Sequence, residues 1–400
     1  IIKIKLSTLK YKLNSRDGRG MENSFDELTN IFLNKENIKI KNPKQPENIL
    51  NRKDVLQKNM IALLLFGRSG TGLLHSLIDN HSEVSTLPSI YFSEFFDTSN
   101  WDRITAGGWE GIINRFVDSY PVLFDARSSY PVPSNNNQFL SNLGIKEGMT
   151  NLGANKDEFL SVDKALFKKE LSYLMGQCDN IDQLTFFKLI HIAYEKANNN
   201  KHKKNTIFYH IHNPDVNALV NFISAAPNTK WVTMVREPVK SLESWIKDEC
   251  IENKHRGISS KIEMLLYYAT NIIFKNKDAI GVRLEDLKAK PKATIKALCN
   301  WMGIKEESSL YEMTAQGKKW WGDATCPKNM PPFGDMPKSK GLVLSRNDRF
   351  ILNTLFYPFK VKFGYTEEDP EQFKKDLAEI RPMLDQMFDI EKEIISRIEE

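Results

Sequence analysis

The chain has 400 residues, 41% hydrophobic and 27% charged, which is enough for a sizeable core and ordinary for a globular protein. Its 56 basic and 51 acidic side chains leave a net charge of +5, a mild excess that suits an anionic small molecule and lacks the clustered basic face that nucleic acid demands. No run nears the roughly 18 apolar residues of a spanning helix; the longest, Ile61 to Phe66, is expected to be a buried strand.

The first residues, Ile1 to Leu6, alternate apolar and basic side chains and have no unbroken apolar centre of the signal-peptide kind. The expected address is cytoplasmic, with an upstream targeting segment left open because the chain begins without Met. Cys178, Cys250, Cys299 and Cys326 are widely spaced, and no C-x-x-C occurs. Zinc-type spacing is therefore absent, and free thiols in a reducing compartment are expected.

Three segments are expected along the chain. Residues 1–58 form a polar N-terminal extension with one short helix near Ser24 to Leu33; 59–369 form the main domain; 370–400 form an amphipathic C-terminal helix. The domain begins with a strand from Met60 to Phe66, a glycine turn, and a helix from Leu73 to Asp79. Residues 97–185 are an acceptor-side insertion, irregular over 97–160 as binding loops often are, with a helix from Lys164 to Met175. Strands follow at Thr206 to His212, Lys230 to Val235 and Ala279 to Leu284, and helices at Val216 to Ala225 and Pro291 to Met302, the latter ended by Gly303. Pro238 suits a first helical turn. The stretch from Lys318 to Lys340 is expected to be an ordered loop. This alternation predicts an α/β fold, a parallel central sheet flanked by helices with long inserted loops, and ligands at the strands' carboxyl ends.

The strongest local signal is Phe66-Gly67-Arg68-Ser69-Gly70-Thr71-Gly72-Leu73-Leu74, an apolar strand running through a glycine-rich turn into an apolar-periodic helix. Glycines let the backbone approach an anion, and the N–H groups of the turn and the helix start then point at it. The alternative is a purely structural strand-to-helix turn. The loop is not a Walker A sequence, because Leu73 and Leu74 stand where Lys and the magnesium-binding hydroxyl would be. Arg68 is the only cation in the turn. Such a cradle suits a moving group that carries less charge than a phosphoryl group.

Phe66 to Leu74 resembles the 5′-phosphosulfate-binding loop of the PAPS-dependent sulfotransferases, where PAPS is 3′-phosphoadenosine 5′-phosphosulfate. That family's second hallmark is an Arg at a strand end, a Pro two residues later and a Ser eight residues after the Arg. Arg236, Pro238 and Ser244 have that spacing, with Ser241 on the same helix face. Arg236 offers a planar fork to a phosphate. Ile280 to Leu287, with Pro291 and Trp301 to Ile304, is similar to a structural segment of these enzymes. Lys338-Ser339-Lys340-Gly341 resembles, loosely, the basic loop that closes over the 3′-phosphate. The likeness runs from about Met60 to Tyr365, poorly through the middle third.

The resemblance implies a P-loop NTPase-like sulfotransferase fold and transfer of a sulfuryl group from PAPS, without a metal, to a hydroxyl or amine of a small-molecule or carbohydrate acceptor. The donor site would comprise Gly67, Arg68, Ser69, Gly70, Thr71, Gly72, Arg236, Ser244, Lys340 and Gly341. A base must reach the acceptor's proton. Glu94, in Pro88 to Phe96, resembles the family's Glu type, and its aromatic neighbours predict desolvation. His212 is the histidine alternative, with His210 and His191 also open and His75 expected to be packing. Trp101, Trp109, Tyr120, Phe124 and Tyr130 are either pocket lining or core, and Lys318 to Trp321 could meet an anionic or sugar acceptor. The competing functions are a P-loop kinase or nucleotide hydrolase, and a non-catalytic nucleotide-binding protein.

Overall fold

Strand β1, Asn59–Leu64, exposes only its first residue, and all six residues of β3, Thr206–Ile211, are buried. Runs apolar on both faces belong in a parallel sheet covered on both sides. The computed structural model describes residues 56–64, 66–88, 92, 94–128, 143–176, 181–200, 203–212, 216–251, 258–269, 278–324, 326, 331–336 and 344–399. The expected helix near Ser24 to Leu33 and the Lys340–Gly341 loop lie outside them.

The sheet also holds β2, Val84–Thr86, β4, Lys230–Val235, and β5, Ala279–Arg283, in the order β2-β3-β1-β4-β5. Every pairing is parallel. Alternate residues serve opposite faces. Ala62, Leu64, Tyr209 and Trp231 join one core cluster, and Ile61, Leu63, Phe208 and Val232 join the other.

Helix α1, Thr71–Ile78, covers the second face. The first face is covered by α2, Lys164–Met175, α3, Gln183–Ala197, and α4, Val216–Ala225. Helix α5, Pro238–Ile251, follows β4, and α6, Pro291–Met302, ends at Gly303, whose φ of 75° is the left-handed stop glycine provides.

Three expectations are corrected. Residues 97–160 are not wholly irregular: helices span Thr98–Thr105 and Ile112–Ser119. Asp97 caps the first by accepting from the Ser99 and Asn100 amides, and the second buries Ile112 and Phe116 one turn apart. The stretch after Lys318 is not simply loop, since Lys318–Lys319 pairs antiparallel with Thr314–Ala315. The terminal helix is broken into Pro370–Ile380, a 3-10 turn at Arg381–Met383 and Asp389–Glu399. Pro382 has no N–H to continue the ladder. Among the described residues, no helix is long and apolar enough to cross a membrane.

Candidate anion site at the sheet's carboxyl edge

β1 lies between β3 and β4, so the chain leaves it at the point where the strand order switches direction, which is where open parallel sheets hold ligands. Four segments meet there: the loop after β1, His212 after β3, Arg236 after β4, and Leu284–Glu285 after β5.

The loop's backbone is unusual in the way an anion cradle requires. Arg68 has φ 54° and Gly70 has φ 82°. Left-handed residues on either side of Ser69 turn successive amides toward one concavity. A non-glycine residue held at positive φ is strain that only surrounding structure maintains. That structure is visible. Ser241 Oγ donates to the Gly67 carbonyl, and Arg236 Nη1 donates to the Arg68 carbonyl at 3.1 Å. Gly67 lies flat against the Trp245 ring, which a Cβ would overlap. A Cβ on Gly70 would sit 2.7 Å from Leu284 Cδ1. The hydroxyls of Ser69 and Thr71 are buried and 3.4 Å apart.

The two motifs found separately in the sequence are thus one unit, because Arg236 and Ser241 hold the loop that carries Arg68. Arg236 is half-buried, and its Nε is enclosed without a hydrogen-bond partner. An enclosed, orphaned guanidinium nitrogen beside a nest of amides fits an anionic ligand. Burial lowers the Arg236 pKa and nearby Arg68 lowers it further, while Glu285 and Glu237 oppose them. Glu285 also fastens the β4 and β5 ends together: it accepts from the Glu237 amide at 3.1 Å and from the Tyr365 hydroxyl at 2.9 Å. Ser244 is half-buried on α5.

The histidines divide. His191 is buried, with Nδ1 3.0 Å from Ser85 Oγ, a packing role. His75 of α1, His210 and His212 form a row, with ring centroids 5.5 Å apart for His75–His210 and 5.6 Å for His210–His212. His210 is buried, and its Nε2 has no partner. Burial pushes His212 down to about 4, opposed by the Asp323 carboxylate, so its ring is neutral at pH 7.

Glu94 is exposed, which corrects the expected desolvation: Phe92, Phe95 and Phe96 turn into the core, and the carboxylate between them does not follow. Tyr120 and Phe124 are core, Trp101 and Trp109 pack against that core, and Tyr130 lies outside the described residues. Cys299 and Cys326 are free thiols.

A strap lies over the loop, which sequence reasoning did not anticipate. Trp320 is buried, with Cη2 3.5 Å from the place a Cβ on Gly72 would take, and its Nε1 donates to the Glu147 carbonyl at 2.8 Å. The Ala324 amide donates to the Lys146 carbonyl at 2.8 Å. Asp323 in this strap faces both His212 and Glu147 electrostatically. The Lys-Lys-Trp-Trp run carried the only signal, and it suggested an acceptor contact rather than a wall. Among the described residues no group of three or more His, Cys, Asp or Glu is placed to hold a metal.

No protein-family model matches the sequence, and no curated protein matches it. Among solved structures, the chain is similar to the sulfotransferase domain from the Synechococcus PCC 7002 olefin synthase at 13% identity, covering 79% of this chain and 98% of that one, with a TM-score of 0.40. It is similar to the sulfotransferase domain from the curacin biosynthetic pathway at 13% identity, covering 81% and 98%, with a TM-score of 0.37. It is also similar to sulfotransferase STF9 from Mycobacterium avium at 10% identity, covering 80% and 81%, with a TM-score of 0.36. Similarities this distant concern the course of the chain and carry nothing about its chemistry.

Proposed function

We propose that the chain transfers a sulfuryl group from PAPS to a hydroxyl or amine of a small-molecule or carbohydrate acceptor. The observation that carries this is the joining of two anion-binding elements into one unit: the strained loop at Arg68–Gly70, and Arg236 hydrogen-bonded to it with an orphaned Nε. Two such elements suit a donor with anionic groups at both its 5′ and 3′ positions. The absence of Lys and Ser/Thr after Gly72 favours this donor over a nucleoside triphosphate with magnesium.

The donor supplies the sulfuryl group when bound. The amides of 67–72 would hold its 5′ end. Arg68 would stabilise charge growing on the bridging oxygen, a preorganised electrostatic contribution. Arg236 and Ser244 would hold the 3′-phosphate and so select against ordinary adenine nucleotides. Lys340 and Gly341 are proposed to add to that contact. Glu94 and His212 are the sequence's two candidates for accepting the acceptor's proton.

Amide hydrogen exchange tests the donor site. Saturating 3′-phosphoadenosine 5′-phosphate (PAP) should slow exchange at residues 67–72 and around Arg236. Unchanged exchange at both would contradict the assignment.

A further inference from the structure

We infer that Trp320 positions the acceptor for sulfuryl transfer and keeps water from taking its place, because the edge of its indole walls the open slot at the first turn of α1. This rests on the proposed function above.

The wall is placed by the hairpin before it. Gln316 and Gly317 have φ of 53° and 71°, the left-handed pair of a tight two-residue turn, and the chain reverses there between Thr314–Ala315 and Lys318–Lys319. The turn is tied to the far end of α1: Asp79 Oδ2 accepts from the Gly317 amide at 2.9 Å and from the Thr314 hydroxyl at 3.1 Å. Three residues of extended chain then cover about 10 Å, which is also roughly the length of α1 from Asp79 back to Gly72. Trp320 therefore arrives at the helix start.

There its Cη2 lies 3.5 Å from the Cβ position of Gly72, and among the described residues no other atom from beyond α1 comes within 4 Å of that position. That position is two covalent bonds from the Gly72 amide nitrogen, so the indole edge is within about 6.5 Å of an N–H in the proposed donor cradle. Gly72 itself is exposed, so the helix start is open where the indole does not bound it. His212 stands level with this opening. The His75 and His210 rings are neighbours, with centroids 5.5 Å apart; from them Thr71 is one helical turn along α1, about 6 Å, and His212 is two residues along the chain, about 6.6 Å.

The wall is fixed and apolar. Trp320 packs with Ala126, Leu152, Leu160 and Ala315. Its amide donates to the Met313 carbonyl at 2.9 Å and its Nε1 to the Glu147 carbonyl at 2.8 Å. On the far side, Gly148 is pressed so closely onto the strap that a Cβ there would overlap the Gly322 carbonyl. The indole thus shows the slot only a C–H edge. Such an edge holds an acceptor by contact, which keeps the attacking atom in line, and gives water no hydrogen bond, which limits hydrolysis.

The reaction held back is balanced as follows. A lone pair of the water oxygen forms the new bond to sulfur, and the water's protons pass to solvent. The bond from sulfur to the bridging oxygen of PAPS breaks, and its pair leaves on the 5′-phosphate of PAP. The products are sulfate and PAP.

The test measures release of inorganic sulfate from PAPS with no acceptor added, beside PAP calorimetry and thermal unfolding, for the wild type, Trp320→Phe and Gly148→Ala. Phe keeps an apolar ring but loses the Nε1 donor and the outer rim of the indole. Gly148→Ala displaces the strap from its far side and leaves the loop and Trp320 chemically intact. Trp320→Phe should bind PAP within about threefold of wild type and release sulfate at least about threefold faster. Gly148→Ala should move sulfate release in the same direction, and it decides the matter alone if Trp320→Phe does not fold. Sulfate release at the wild-type rate from variants that fold and bind PAP overturns the inference and leaves the donor site standing. Loss of PAP binding in Trp320→Phe assigns the indole to holding the loop and overturns it too. A wild type that does not bind PAP removes both this inference and the function beneath it.

Discussion

Arg236 donates from Nη1 to the backbone carbonyl of Arg68 at 3.1 Å, while its own Nε stays enclosed and unpaired. One side chain therefore fixes the loop and offers a donor to a ligand. Hydrogen bonds to charged groups contribute roughly 1.5–3 kcal/mol. Arg236→Ala should accordingly weaken PAP by about 10- to 100-fold in calorimetry. Arg68→Ala should lower turnover with a smaller effect on PAP affinity. Equal effects of both variants on both quantities would contradict this division.

Gly67 and Trp245 make a second dependent pair. Gly67→Ala puts a Cβ into the indole. Overpacking of this kind costs about 1–3 kcal/mol, so the variant should melt earlier and bind PAP less well. Adding Trp245→Ala should recover PAP binding in part. If the double variant binds no better than Gly67→Ala, the ring is not what holds the loop flat.

Ser241 and Ser244 share a helix face but are assigned different work. Ser241→Ala leaves the Gly67 carbonyl without its donor, and an unsatisfied buried group costs roughly 1–3 kcal/mol. Thermal unfolding should register that loss. Ser244→Ala should leave the melting temperature nearly unchanged and reduce PAP affinity. The reverse pattern would exchange their roles.

Stability should depend on pH through the buried rings. His191 and His212 are pushed down to about 3 and about 4, in both cases chiefly by burial. Between those values and the ordinary histidine value near 6.5 the unfolded chain binds more protons, so stability rises with pH. Their contribution is complete above about pH 6.5 and is lost as pH falls through 4. Denaturant unfolding of His191→Gln should show a shallower acid loss than wild type. An unchanged slope would mean the ring is not buried neutral.

What was legible in the sequence was local. The glycine loop is contiguous, and the Arg236–Ser244 spacing lies within one strand-to-helix turn, so neither needs the fold to be recognised. Their hydrogen bonds to each other could not be read, because they span 168 and 174 residues. The turns at Lys146–Gly148 and Trp320–Ala324 carry no motif, and contacts far apart in sequence bring them together: Trp320 Nε1 on the Glu147 carbonyl and the Ala324 amide on the Lys146 carbonyl. Helix α3 escaped notice for a different reason. It buries Phe186, Phe187, Ile190, His191 and Tyr194 among others, so it is covered on most faces and shows no clean apolar stripe. The broken terminal helix was mistaken for a continuous one because its amphipathic period persists on both sides of Pro382.

The most direct measurement is calorimetric binding of PAP against ADP with EDTA present. PAP should bind more tightly than ADP, and magnesium should make no difference, because the proposed role of Arg236 is to select the 3′-phosphate and the loop has Leu73 and Leu74 where a Lys and a metal-binding hydroxyl would stand. Preference for ADP, or binding that requires magnesium, would contradict the account and assign the Arg68 loop to phosphoryl chemistry.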